Sequence, residues 1–115
     1  MTLLEYIKQT SDWEITVFDK DYDMETYFYK DIVKPKDSWD KSMNKLAGLL
    51  EVTETSERGV TVNLSDLIES KLEAQKKAEL WKICEVDEIM YDIDNVIAGY
   101  VSDDWLKKFV TVLAE

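Results

Sequence analysis

Hydrophobic residues recur at two different spacings in this chain, and the switch between them restricts it to folds that mix strands with helices. Trp13, Ile15 and Val17 alternate with Glu14, Thr16 and Phe18, the period of two that separates the faces of a strand. Farther on, Trp39, Met43, Leu46 and Leu50 return every three or four residues, which aligns them along one side of a helix. Pro35, the single proline, stands between the two patterns, where its fixed φ and missing N–H suit a break.

The same reasoning extends along the chain. Leu3, Leu4 and Ile7 predict a short helix over Thr2 to Gln9, ended by Ser11 and Asp12. After the strand from Trp13, the polar run Asp19 to Asp23 turns into a second strand over Met24 to Lys30, where Thr26, Tyr27, Phe28 and Tyr29 are good strand formers. Asp37 can cap a helix running to Leu50. A second hairpin follows: Val52 and Glu54 alternate with Glu51 and Thr53, then Val60, Val62 and Leu64 with Thr61 and Asn63, and Gly59 sits near the turn. Ser65 or Asp66 caps a helix reaching to Lys82, whose stretch Glu73 to Glu79 has only two alanines as apolar residues; Trp81 and Ile83 resume the core. Val86, Ile89, Met90, Ile93, Ile97 and Tyr100 keep helical register, with Gly99 available to end the helix. A last helix has Ser102 as cap, Asp103 and Asp104 at its positive end, and Trp105, Leu106, Phe109, Val110 and Leu113 as its apolar side. The expectation is one α+β domain over residues 1–115, two β-hairpins forming a small antiparallel sheet packed by helices in the order αββαββααα.

What is missing narrows the chemistry. The 115 residues contain no histidine, the commonest general base and metal ligand near neutral pH. Gly48, Gly59 and Gly99 are isolated, so no phosphate-cradling loop can be built from them. Asp19, Asp21 and Asp23 begin like a calcium loop, but Met24 stands where the sharp turn needs glycine and Lys30 where a bidentate glutamate belongs. Glu69 and Lys71 fall on a predicted helix, two residues apart and on different faces. No catalytic residue, metal site or cofactor is expected, and the chain reads as no enzyme. Cys84 is the only cysteine, which excludes an internal disulfide and suits a cytoplasmic setting. No apolar run approaches the length of a membrane helix.

The remaining signal is charge. Twenty-five carboxylates against 14 cations give a net charge of −11, which repels nucleic acid and anionic membranes and favours a basic protein as partner. Residues 84–115 hold Glu85, Asp87, Glu88, Asp92, Asp94, Asp103, Asp104 and Glu115 against only Lys107 and Lys108. If Ile89, Ile93 and Ile97 face the core, Glu88, Asp92 and Asp94 form a solvent strip that imitates a phosphate backbone. A solvated helix face accounts for the same carboxylates. Tyr27 and Tyr29 share a strand face with Glu25 and Asp31, so packing is expected of them rather than base stacking.

The stretch Ile15 to Lys30, ITVFDKDYDMETYFYK, resembles short uncharacterised proteins of Gram-positive bacteria, phages and mobile elements. Small acidic proteins of such elements include inhibitors of restriction and CRISPR nucleases, so the resemblance implies a nucleic-acid-mimicking inhibitor of a basic protein. The partner-binding residues would be Glu85, Asp87, Glu88, Asp92, Asp94, Asp103 and Asp104. The alternative is an assembly module forming a homo-oligomer through apolar surface, with the acidity conferring solubility alone.

Overall fold

A computed structural model describes residues 1–19, 22–73 and 102–115, with the side chains at 22–24, 72 and 73 outside that description. The first element, α1 (Leu3–Gln9), opens with a capping box: the Glu5 N–H donates to Thr2 Oγ1 at 3.1 Å and the Thr2 N–H to Glu5 Oε1 at 3.2 Å. Leu3 and Ile7, one turn apart, are both fully buried. The start of the chain is tied across the molecule, since the Leu3 N–H, at the first position of the helix, donates to Leu50 O and the Val52 N–H to Met1 O.

Two hairpins follow. Strands β1 (Glu14–Asp19) and β2 (Tyr22–Tyr29) pair antiparallel, as do β3 (Val52–Ser56) and β4 (Gly59–Val62). Between them run a 3-10 helix (Lys30–Val33) and α2 (Ser38–Leu49), which Asp37 caps by accepting from Asp40 N–H at 2.8 Å. After β4 come α3 (Leu64–Glu73) and the C-terminal helix, here α4 (Asp103–Ala114), capped by the Ser102 hydroxyl. The helix expected over Val86 to Tyr100, Trp81, Ile83, Cys84 and the polar stretch beyond Glu73 all lie outside the described residues.

The α+β class and the order of the described elements agree with the sequence, but the sheet is mixed and not purely antiparallel. Its order is β2-β1-β4-β3, and the inner strands pair in parallel, Val17 with Val60, Phe18 with Thr61 and Asp19 with Val62. The cause is the helical crossover. A helix joining two strands carries the chain back to the end where the first strand began, so β3 runs in the direction of β2. Their hairpin partners β1 and β4 must then run alike.

The described helices and the core they share with the strands lie on one face of this sheet. Ile15, Val17, Phe28, Val60 and Val62 point into it and are nearly inaccessible, together with Met43, Leu46 and Ala47 of α2 and Leu106, Phe109, Val110, Val112 and Leu113 of α4. Helix α4 is thus core; Trp105 is half-buried and stacks on Phe109 with ring centroids 5.1 Å apart. Trp13, expected beside Ile15 and Val17, is 61% exposed because the strand begins one residue later. Gly59 has φ +149°, and a Cβ there would stand 2.3 Å from the Thr16 carbonyl oxygen on β1. The parallel pairing therefore requires glycine at this position.

Candidate functional site

The described part of the acidic C-terminal surface is the first turn of α4. Asp103 and Asp104 are exposed there, with Ser102 accepting from Trp105 N–H behind them. Carboxylates suit this place because the unpaired N–H groups of a first helical turn carry partial positive charge. The Ser38 hydroxyl donates to Asp103 Oδ2 at 2.6 Å, tying the start of α4 to the start of α2. Asp37 and Asp40 occupy that same start, so carboxylates from two distant stretches meet at one end of the helical layer. Among the described residues Asp103 and Asp104 take part in no ion pair, although Lys107 and Lys108 follow one turn later. Glu85, Asp87, Glu88, Asp92 and Asp94 lie outside the described residues.

Asp19, the first of the three alternating aspartates, turns out to be structural. It is 7% exposed, and its Oδ1 accepts from the Ser65 N–H at 2.8 Å, at the beginning of α3. The parallel register makes this contact, because it sets the last residue of β1 beside the end of β4, from which α3 departs. The pattern of polar residues before this helix points to a cap at Ser65 or Asp66. The helix instead begins at Leu64, and Ser65 is buried. Parity gave a signal, since Asp19 continues the inward series Ile15, Val17.

The outer face of the sheet carries a different surface. Glu14, Thr16 and Phe18 of β1 face out beside Tyr29, Tyr27 and Glu25 of β2, paired in that order across the strands. Tyr27 and Tyr29 are 40% and 41% exposed. Arg58, in the turn between β3 and β4, lies over the Phe18 ring with its guanidinium carbon 5.4 Å from the centroid, and its Nη2 is 3.6 Å from Glu25 Oε1. The Tyr27 hydroxyl donates to Glu25 Oε2 at 2.9 Å. That hydrogen bond first, then the charge of Glu25, with a smaller contribution from Glu14, holds the phenol above its ordinary pKa.

No cluster of metal-binding side chains occurs among the described residues, and no helix among them is long and apolar enough to cross a membrane. No family model, curated protein or solved structure matches the chain.

Proposed function

We infer that the chain is a non-enzymatic binding protein whose acidic surface occupies the cationic groove of a basic, nucleic-acid-binding protein, of a mobile element or of its host. The observation that carries this reading is the state of Asp103 and Asp104. Both carboxylates are exposed and without an ion pair among the described residues, on a helix whose other side is sunk in the core. Charges on such a support need little reordering when they meet a partner. The net charge of −11 adds long-range attraction for a cationic surface.

Neutralising Glu88, Asp92, Asp94, Asp103 and Asp104 to Gln or Asn tests it against a cationic partner isolated from the source cell. Affinity should fall by more than about tenfold in the variant, decline with salt in the wild type, and be competed by nucleic acid. A partner indifferent to both the neutralisation and salt refutes the reading.

A further inference from the structure

We propose that the outer face of the sheet, at Glu14, Tyr27 and Tyr29, is a docking surface for an arginine-bearing segment of a protein partner. The proposal rests on the reading of the chain as a binder of basic proteins, but it assigns the contact to a face remote in sequence from the C-terminal carboxylates.

The chain itself shows how a guanidinium sits here. Phe18 and Glu25 are cross-strand partners on the outer face, and Arg58 covers the ring while approaching the carboxylate. Four residues back along β1 the pairing recurs with the strands exchanged: Glu14 stands opposite Tyr29, again a carboxylate beside an aromatic ring. This second pair holds no cation of the described residues. Lys30, the nearest in sequence, donates its Nζ to the Thr10 carbonyl instead. Tyr27 lies between the two pairs, opposite Thr16, and extends the exposed aromatic surface.

Spacing makes the second pair usable. Four residues of strand span about 13 Å, beyond the screening length of about 8 Å in physiological salt, so Arg58 does not repel a cation arriving at Glu14. Arginine fits better than lysine because a planar guanidinium can stack on a ring while donating in its own plane to a carboxylate. The Tyr27 phenol is held above its ordinary pKa first by its hydrogen bond to Glu25 and then by the charge of Glu25, with a smaller contribution from Glu14 on the same face.

An acetylated Gly-Arg repeat peptide and its Gly-Lys counterpart of equal length are the probes, titrated into the full chain at physiological salt, about 0.15 M, with backbone amide NMR as readout. The arginine peptide should shift the amides of residues 14–16 and 27–29 and bind about threefold or more tighter than the lysine peptide. Tyr29→Leu, which keeps an apolar side chain but removes the ring, should abolish that preference, and Glu14→Gln should weaken binding several-fold. Neutralising the C-terminal carboxylates should leave the shifts at 14–16 and 27–29 in place. The proposal is overturned if those amides stay still, if the lysine peptide binds equally well, or if Tyr29→Leu changes nothing. Shifts at the same amides on raising the protein concentration without peptide would make a second copy the occupant and also overturn it. A basic partner lost on C-terminal neutralisation but insensitive to Glu14→Gln and Tyr29→Leu would sink this docking face while leaving the C-terminal reading intact.

Discussion

Replacing Asp19 with alanine probes a contact that joins sheet register to helix capping. The wild-type carboxylate is 7% exposed and accepts from the buried Ser65 N–H at 2.8 Å. Alanine removes the carboxylate acceptor from that buried donor, a loss of about 1–3 kcal/mol. Loss of a negative charge at the start of α3 adds about 0.3–1 kcal/mol. Asp19→Ala should therefore lower the unfolding free energy by about 2–3 kcal/mol, read from urea titrations followed by circular dichroism, with the m-value unchanged. Asp19→Asn keeps an oxygen acceptor and loses the charge, so its deficit should be about 1 kcal/mol. An alanine variant within about 0.5 kcal/mol of wild type, the ordinary range for surface substitutions, would refute the capping role. An asparagine variant as damaged as alanine would show that charge, not the acceptor, is what Ser65 requires.

Other consequences are as direct. Gly59→Ala should destabilise by about 3 kcal/mol or more, because it combines an unfavourable backbone angle with a Cβ 2.3 Å from backbone oxygen; an unchanged melting curve would contradict the close approach of β1 and β4. Phe109→Ala, at a nearly inaccessible site, should cost about 3–5 kcal/mol in the same titration, and a cost below about 1 kcal/mol would place α4 outside the cooperative core. The Glu5 carboxyl is held below its ordinary pKa, first by the Thr2 N–H and then by the Thr2 hydroxyl. A depressed folded-state pKa stabilises above the unfolded-state value and loses that contribution as pH falls through the folded one. Glu5→Gln should thus differ from wild type at neutral pH and converge with it in acid; a difference that persists at low pH would deny the capping box its charge dependence.

Where periodicity and chemistry agree, the sequence was informative. The alternation of Ile15 with Val17 and the spacing of Leu106, Phe109, Val110 and Leu113 identify buried faces, and Asp37 and Ser102 both cap the helices expected of them. The parallel junction was not legible, because strand polarity across the sheet is set by the crossover between hairpins and leaves no trace in local period. The buried role of Asp19 is hidden for a related reason. Its neighbours Asp21 and Asp23 suggested a polar turn, and only the ladder beside Val62 explains why a carboxylate belongs inside. The outer-face pairing of Phe18 with Glu25 and Glu14 with Tyr29 depends on hairpin register, which composition does not reveal.

The β1–β4 junction also sets the order in which the molecule can assemble. Each hairpin closes a local loop, an event of about 1–10 μs, whereas Val17 meets Val60 only after about 40 intervening residues are drawn together, at an entropic cost of about 3 kcal/mol. Docking of the two hairpins is consequently the late, slow event. Until it occurs, β1 and β4 each present an unpaired backbone edge to other chains, and α3 lacks the Asp19 cap that only the finished junction supplies. The amides of β1 and β4 that bond across their junction should then gain protection together during refolding, later than those bonded within each hairpin, and crowding of newly made chains is most hazardous in that interval.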